Sequence, residues 1–440
     1  MKADINKFWG YLRGRPLVWD TITTTIWSTL GKALGFLVPF FIAAWFGVSG
    51  QTDAFFFAYG LIIFLATIFS PVVESIIVPF IAEFRAKGED ISNFVGRILG
   101  LSAAGLGAIS IFFLMIMKPI LPLLTRFSPE GQDLVYRILL ESIPLFILLV
   151  WTSVLAGTLN AYKIFGIPAL SPAFRAIVTL VFIFAFKGTM GVHAIALGYV
   201  VGEIFRLVVL SFLLRKLNIL HFRLLIGWEA KFAEFLKTSS YQIIGMSMLA
   251  FTPIINKTMA SWLGPGNVSI LEYADRLYII PITFLSTGLL ITILSHWSER
   301  YYIDGAGQLK NDVWKAVKVV GTAALLLTAI LLLTKDSVVN IVYGYGKFPQ
   351  RLIDEVGVIF GFYLLGLTPY LLSQVYVRAF LTRKDTRVLL LTAFFMITGT
   401  IAFNLVFIRI IGVAGIALAN SVVALLSLGI LCFLFYKRLA

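Results

Sequence analysis

Charged side chains interrupt several long apolar runs of this sequence. Lys257 lies within one run, and Glu272 and Arg276 lie at the head of the next run. A cation inside a membrane span costs roughly 2.5 to 3.5 kcal/mol on insertion scales, so such a residue normally faces the protein interior or a wet cavity. Basic side chains that share a cavity attract anions. The sequence therefore predicts a basic cavity that binds an anionic substrate.

Lys32 is the cation that lies deepest in a predicted span. It follows the start of the first span by about eleven residues, or about 16 Å, which places it near the membrane midplane. We predict that Lys32 faces the cavity and binds the anionic headgroup of the substrate. A structural ion pair with an acidic neighbour is the alternative.

Lys257, Arg276 and Arg206 are further candidate ligands of the headgroup, and each has a structural alternative. Lys257 and Arg276 lie near the outer ends of their predicted spans, where long basic side chains reach the interface. Arg206 follows Glu203 by three residues, so the two side chains meet on one helix face and can neutralise each other. Position alone favours the structural role for Arg206 and Arg276 and leaves both roles open for Lys257.

Asp53 and Glu74 are the acidic candidates. Glu74 lies deep in the second predicted span, between Pro71 and Pro79. A proline inside a helix leaves a backbone carbonyl without its hydrogen-bond partner, and such carbonyls together with a carboxylate suit the binding of a monovalent cation or a proton. A salt bridge between Glu74 and Lys32 is the alternative to this ion site. Asp53 opens the same span, where an aspartate commonly caps the helix N-terminus. We predict that both acids tune the cavity or couple transport to an ion.

The composition indicates the elements that must position these charges. Hydrophobic residues make up 59% of the 440 positions, whereas soluble globular proteins contain about 45 to 50%. Apolar runs that are long enough to cross a bilayer are helices, because a helix satisfies its own backbone polar groups in lipid. We predict an all-α polytopic membrane protein with about twelve transmembrane helices. The predicted spans cover residues 21–47, 54–80, 97–117, 134–157, 168–187, 192–214, 238–262, 273–295, 316–334, 355–380, 388–408 and 413–435.

The basic residues of the chain indicate its topology. Lys and Arg outnumber Asp and Glu by 36 to 22, for a net charge of +14. These residues are spread over short connections rather than gathered in long basic runs, so we predict no nucleic-acid partner. Most of them fall in the N-terminal segment and in every second loop. The positive-inside rule therefore predicts that both termini are cytoplasmic.

The sequence contains no motif that is typical of catalysis or of cofactor binding. Cys432 is its single cysteine and its three histidines are widely separated, which excludes an intrachain disulfide and argues against a metal site. A nucleotide-binding glycine loop, a His-Glu metal motif and a nucleophile near a histidine are absent from the sequence. We therefore predict that the protein is not an enzyme, uses no cofactor and acts as a secondary transporter.

The two halves of the sequence resemble each other. Residues 191–197 resemble 412–418, and residues 44–47 resemble 261–264 at nearly the same offset. Six spans per half is an even number, so we predict two parallel six-helix repeats around a central cavity. The predicted domains are a cytoplasmic N-terminal segment at 1–20, an N-lobe at 21–214, an amphipathic linker helix on the cytoplasmic interface at 215–237 and a C-lobe at 238–436.

Three segments resemble a known family. FGVSGQTDAFFFA (46–58), VPFIAEF (78–84) and YADRL (273–277) are similar to segments of the MurJ/MviN-type lipid II flippases, in the multidrug/oligosaccharidyl-lipid/polysaccharide exporter superfamily. The resemblance implies a flippase of the bacterial inner membrane that moves a pyrophosphate-linked lipid oligosaccharide from the inner to the outer leaflet by alternating access. By matching positions, it also implies functional roles for Asp53 and Arg276.

The sequence departs from this family pattern at several positions. Lys32 stands where the family usually has arginine, which keeps the charge but not the bidentate phosphate geometry. Val38, Pro39 and Ala66 stand where the family has further arginines. The family usually has fourteen spans, whereas twelve are predicted here. These departures weaken lipid II as the particular substrate and leave the flippase class intact.

Several functions therefore remain open at the level of the sequence. The first prediction is a flippase for lipid II or a related undecaprenyl-linked precursor, with that lipid-linked oligosaccharide, membrane lipids and a monovalent cation or proton as partners. A flippase for a polysaccharide repeat unit is the second, and a multidrug exporter of the same superfamily is the third. A membrane glycosyl or acyl transferase and a non-transporting scaffold are the remaining alternatives.

Overall fold

The computed structural model of the chain describes residues 16–221, 223–227, 229–383 and 385–439. These residues form twelve α-helices and contain no β-strand. The helices are, in chain order, α1 (Pro16–Phe46), α2 (Gly50–Lys87), α3 (Ile91–Leu124), α4 (Pro129–Ala161), α5 (Gly166–Met190), α6 (His193–Lys216), α7 (Ala230–Ser261), α8 (Asn267–Tyr343), α9 (Gln350–Leu365), α10 (Leu367–Thr382), α11 (Thr386–Ile411) and α12 (Ala414–Leu439).

Ten helical segments in the described residues are long and apolar enough to cross a membrane. They lie in α1 to α6, in the second half of α8, in α9 together with α10, in α11 and in α12. The predicted fold class, an all-α polytopic membrane protein, is thereby confirmed. Of the predicted N-terminal segment 1–20, residues 1–15 lie outside the described residues.

The loop predicted between the eighth and ninth spans, over residues 296–315, is helical instead. The backbone is helical over all of Asn267–Tyr343, but α8 is not straight, because the hydroxyl of Tyr343 at its end donates a hydrogen bond to the carbonyl of Tyr273 near its start. A proline often interrupts a helix. α8 contains one proline, Pro281, and the backbone on both sides of it is helical. The polar stretch also supports a helix locally, because the side chain of Gln308 donates a hydrogen bond of 3.2 Å to Asp312 four residues later. Polar residues are compatible with a helix outside the bilayer. The chain therefore reverses direction within α8, as the predicted loop requires, but residues 296–315 are helical rather than a loop.

The tenth predicted span, over residues 355–380, is split into α9 and α10 at Gly366. The hydroxyl of Ser421 on α12 donates a hydrogen bond of 2.5 Å to the carbonyl of Phe362. In a continuous α-helix the amide of Gly366 would bond to that carbonyl, but it bonds to Tyr363 at 3.0 Å instead. A contact with another helix therefore interrupts a segment that its own sequence predicts to be continuous.

The linker helix predicted over residues 215–237 is wrong in its middle part. α6 ends at Lys216, and α7 begins only at Ala230. The residues between them that the structure describes are not helical. Asn218 has a φ of 52°, in the left-handed region that ends a right-handed helix. The amphipathic spacing of the linker therefore does not produce a helix in the described residues between Lys216 and Ala230.

The linker lies along α3 instead. The amide of Leu225 donates a hydrogen bond of 3.0 Å to the carbonyl of Gly96. Gly100, one turn later on α3, allows this approach, because a Cβ atom there would lie 2.2 Å from the carbonyl oxygen of Leu225. Phe222 and Trp228 of the predicted linker lie outside the described residues.

The chain divides into two compact units. In the first unit α5 packs along α6, and in the second unit α8 packs against α9 and α10, and α12 packs against α10 and α11. The unit boundaries cross α1 to α4 and α7, so they differ from the predicted lobe boundaries at residues 214 and 238, and the lobes stay a prediction. The first unit comprises Met1–Val38, Leu65–Phe113 and Glu141–Ile243, and the second comprises Pro39–Phe64, Leu114–Leu140 and Ile244–Ala440.

Candidate functional site

Lys257, Glu272 and Arg276 form one charge cluster in the second unit. The Nζ atom of Lys257 lies 2.7 Å from Oε2 of Glu272, and Nη2 of Arg276 pairs with Oε1 of the same carboxylate. The side chain of Glu272 is 3% exposed and that of Lys257 is 10% exposed, whereas that of Arg276 is 26% exposed. A single buried carboxylate therefore holds two cations.

Asp275 decides the net charge of this cluster. It lies on α8, three residues after Glu272, and interacts electrostatically with Glu272, Arg276 and Lys257. Two cations and the carboxylate of Glu272 carry a net charge of +1 when Asp275 is protonated, and zero when it is ionised.

Three helices supply the cluster and its support. Glu272 and Arg276 are four residues apart on α8, so they lie on one helix face. Lys257 comes from α7, and its ammonium group also donates a hydrogen bond of 3.1 Å to the carbonyl of Phe56 on α2. Gly60, one turn further along α2, leaves room for the lysine, because a Cβ atom there would lie 2.9 Å from its Nζ.

Asp53 is fully buried and caps α8. Its Oδ1 atom accepts hydrogen bonds from the amide of Ser269, at 2.7 Å, and from the hydroxyl of Ser269, at 2.5 Å. Its Oδ2 atom accepts one from the amide of Gly266, the N-cap residue of α8. A carboxylate at a helix N-terminus satisfies free amides and interacts favourably with the helix dipole. The contacts thus tie α2 to the start of α8.

The N-terminus of α2 itself has a different cap. The amide of Thr52 donates a hydrogen bond of 3.2 Å to the hydroxyl of Ser49. Asp53 therefore plays the capping role that its residue type indicates, but it caps α8 rather than the helix that contains it.

Two buried tyrosines support the same region of the second unit. The hydroxyl of Tyr273 donates a hydrogen bond of 2.9 Å to the carbonyl of Gly47. The hydroxyl of Tyr343, at the end of α8, donates one of 2.9 Å to the carbonyl of Tyr273. The ring of Tyr273 lies 5.2 Å from that of Phe56 and 5.6 Å from that of Phe348, centroid to centroid. This aromatic packing fixes the backbone that carries Glu272.

Arg206 belongs to a second charge cluster, in the first unit. Its Nη1 atom lies 3.0 Å from Oε1 of Glu203, and its Nε atom donates a hydrogen bond of 2.8 Å to the hydroxyl of Ser171. Arg175 lies 3.2 Å from the other oxygen of Glu203, and the hydroxyl of Thr152 donates a 2.5 Å hydrogen bond to Oε1. Glu203 is 0% exposed and Arg206 is 9% exposed. These contacts favour the structural role of Arg206.

Glu74 and Lys32 also lie in the first unit. Oε1 of Glu74 accepts a hydrogen bond of 3.4 Å from the amide side chain of Asn160, and Arg206 is a nearby positive charge. Lys32 is exposed. Among the side chains that the structure describes, no carboxylate forms an ion pair with Lys32, so the described residues contain no salt bridge between Lys32 and Glu74.

The structure brings together two of the four predicted cations. Lys257 and Arg276 share the second unit, whereas Lys32 and Arg206 lie in the first unit. Glu272, which is not among the predicted ligands, is the residue that joins the pair. Its spacing of four residues from Arg276 signals a contact in the sequence, but its contact with Lys257 connects two helices and has no local signal.

The part of the chain that the structure describes contains no group of three His, Cys, Asp or Glu side chains close enough to hold a metal ion.

The fold is shared with solved transporters. It matches a structure titled "Lipid II flippase MurJ, inward closed conformation" with a TM-score of 0.80 and 21% identity, over 94% of this chain and 87% of that chain. It also matches an inward-facing MATE family transporter of the MOP superfamily with a TM-score of 0.78 and 13% identity, over 95% of this chain and 98% of that chain. The chain therefore shares the fold of these two solved transporters.

Sequence comparison identifies the family of the chain. The profile of the family described as "Lipid II flippase MurJ" matches residues 42–440. A probable lipid II flippase MurJ of Buchnera aphidicola subsp. Baizongia pistaciae is 25% identical over 429 residues, which cover 95% of this chain and 82% of the relative. A lipid II flippase MurJ of Burkholderia cenocepacia is 24% identical over 434 residues, which cover 95% and 83%. The chain belongs to the lipid II flippase MurJ family, and it is a multi-pass protein of the bacterial inner membrane.

Proposed function

We propose that this chain is a flippase for lipid II, or for a related undecaprenyl-linked precursor, in peptidoglycan or cell-envelope biosynthesis. Membership of the MurJ family over residues 42–440 supports this substrate class. The observation that carries the proposal is the buried carboxylate of Glu272, which holds Lys257 and Arg276 in one cluster. Cations that are oriented before binding suit a pyrophosphate, because charge-assisted hydrogen bonds to phosphate oxygens are strong.

Arg276 is the member of the cluster that is best suited to meet the headgroup. Its side chain is 26% exposed, whereas that of Lys257 is 10% exposed. A guanidinium group binds phosphate oxygens in a bidentate manner. In this proposal Glu272 orients Arg276, and Lys257 fixes Glu272. Lys32, which is exposed on α1 in the first unit, is a separate candidate ligand for an anionic group of the substrate.

The proposed transport is secondary and proceeds by alternating access, with both termini in the cytoplasm. In this orientation the contacts of Asp53 with Gly266 and Ser269 lie on the outer side of the membrane. They hold the start of α2 to the start of α8, so they must break before a headgroup can leave outward. Glu74, next to Asn160 and near Arg206, is the proposed site for coupling to a proton or a monovalent cation.

The experiment is a flipping assay in proteoliposomes with a fluorescent lipid II analogue. We expect Arg276→Ala and Lys32→Ala each to lower the initial rate at least about tenfold, because a hydrogen bond to a charged group contributes about 1.5 to 3 kcal/mol. Lys347→Ala is the matched control, since Lys347 is exposed and lies outside the cluster. Flipping at the parental rate by both variants, at equal protein incorporation, would contradict the proposed headgroup site.

The same assay separates the alternative substrates. A polysaccharide repeat-unit flippase would move an undecaprenyl-pyrophosphate oligosaccharide that lacks the peptide and would leave the lipid II analogue in place. A multidrug exporter is the further alternative, because the fold also matches a MATE transporter. Drug-susceptibility profiles of cells that express the chain test this alternative, and the cationic cluster predicts no protection against cationic drugs.

A further inference from the structure

A groove with a volume of about 370 Å³ lies between α11 and α12. Phe395, Gly399 and Ala402 line it from α11, and Leu426 and Ile430 line it from α12. Both helices are candidate membrane spans, so the groove lies in the hydrocarbon layer. Its volume falls in the range of roughly 300 to 1,000 Å³ that is typical of ligand pockets.

The groove offers an apolar surface to its occupant. Thr392, Thr398 and Ser427 contribute hydroxyl groups to its otherwise apolar lining, and both threonine hydroxyls are already bonded within α11. Thr392 donates a hydrogen bond of 2.8 Å to the carbonyl of Val388, and Thr398 donates one of 3.0 Å to the carbonyl of Phe394. A hydroxyl that is bonded to its own helix does not require a polar ligand. The chemistry of the groove therefore suits a hydrocarbon chain.

Two exposed lysines lie near the end of α12 that follows the groove. Lys437 comes seven residues after Ile430, so it lies on the same helix face about 10 Å further along. The ammonium group of Lys437 lies 5.7 Å from the ring centroid of Phe433. The ammonium group of Lys310, from α8, lies 5.5 Å from the ring centroid of Tyr436. An apolar groove is thus followed by positive charge at the membrane surface.

We propose that this groove binds one acyl chain of an anionic phospholipid, with the lipid phosphate beside Lys437 and Lys310. The charge order along α12 matches such a lipid, because a hydrocarbon chain lies in the membrane and its phosphate lies at the interface. The groove is formed by α11 and α12, whereas the Lys257–Glu272–Arg276 cluster is formed by α7 and α8. The groove therefore lies on other helices than the proposed headgroup site, and we assign it to a resident lipid rather than to the transported one.

The experiment compares lipid binding to the delipidated, purified full chain. Phosphatidylglycerol and phosphatidylcholine with identical acyl chains are titrated, and bound lipid is counted by native mass spectrometry. We expect wild-type protein to bind one phosphatidylglycerol in preference to phosphatidylcholine. Ala402→Phe fills the groove and should abolish this binding event, whereas Ile401→Phe is its control, because Ile401 is exposed on α11 and does not line the groove.

A pair of charge variants tests the headgroup contact independently of groove packing. Lys437→Gln and Lys310→Gln should each lower the preference for phosphatidylglycerol about fivefold, which corresponds to about 1 kcal/mol for one lysine near an anionic surface. Lys318→Gln is the control, since Lys318 is exposed on α8 beside Trp314. Equal binding of the two lipids, or unchanged binding by Ala402→Phe, overturns the proposal. Displacement by undecaprenyl pyrophosphate but not by phosphatidylglycerol also overturns it and assigns the groove to the substrate tail.

Discussion

Removal of the negative charge of Glu272 is the most informative perturbation of the charge cluster. The substitution Glu272→Gln keeps the size of the side chain but removes the carboxylate that holds Lys257, at 2.7 Å, and Arg276. Glu272 is 3% exposed, so water cannot replace the lost charge. Lys257 would keep one contact, its hydrogen bond of 3.1 Å to the carbonyl of Phe56.

The expected magnitude follows from this burial. Removal of one partner of a buried ion pair typically costs about 3 to 5 kcal/mol, because the other charge stays buried without compensation. Here Lys257 stays buried without its ion-pair partner, whereas Arg276 is 26% exposed and can contact water, so we expect the free energy of unfolding to fall by about this amount. Lys257→Gln should cost less, because Glu272 then still pairs with Arg276. The double variant should be more stable than the sum of the two single effects by about 0.5 to 3 kcal/mol.

The assay is the free energy of unfolding in mixed micelles, measured for wild type, both single variants and the double variant. Glu234→Gln is the matched control, because Glu234 pairs with Lys231 at 3.1 Å but is 56% exposed. An exposed pair contributes about 0 to 1 kcal/mol. A Glu272→Gln variant within about 1 kcal/mol of wild type, or a strictly additive double variant, would refute the reasoning that one buried carboxylate couples the two cations.

Three further substitutions test the supports of the two clusters, each by the same unfolding measurement. Asp53→Asn should lower stability by about 1 to 2 kcal/mol, because the N-terminus of α8 loses a charged cap; an unchanged value for both Asp53→Asn and Asp53→Ala would contradict this. Glu203→Gln should cost about 3 to 5 kcal/mol, because its carboxylate is fully buried between two arginines, and a small effect would mean that water reaches the site. Gly60→Ala should cost about 1 to 3 kcal/mol, because its Cβ atom would displace Lys257. In a Lys257→Ala background it should instead be neutral or stabilising by up to about 1 kcal/mol, and the same cost in both backgrounds would exclude the proposed contact.

The fold class of the protein follows from the sequence because few backbone structures satisfy their own polar groups in a bilayer. Long apolar runs must be helices in lipid, and most predicted spans coincide with helices of the structure. The pairing of Arg206 with Glu203 is also readable, since residues three apart on a helix are neighbours. The spacing of Glu272 and Arg276 is a signal of the same kind.

Element boundaries were less predictable where they depend on other parts of the chain. The break at Gly366 results from a hydrogen bond of Ser421 to α9. The non-helical linker is held by a backbone hydrogen bond between Leu225 and Gly96. In α8 the prediction fails in the opposite direction, because a polar stretch that predicts a loop is helical. Local polarity and periodicity contain no information about these partners.

The sequence by itself determined an all-α membrane protein of the flippase type and the residue types of its candidate site. Only the tertiary structure decided which charges and polar groups meet across helices. Asp53 and Ser269 are 216 residues apart in the chain, and Lys257 reaches the carbonyl of Phe56 across 201 residues. Such contacts depend on which helix faces pack together, and helices that are apolar on most sides fit many arrangements equally well by composition. The packing of α2, α7 and α8 therefore selects the partner of each buried charge.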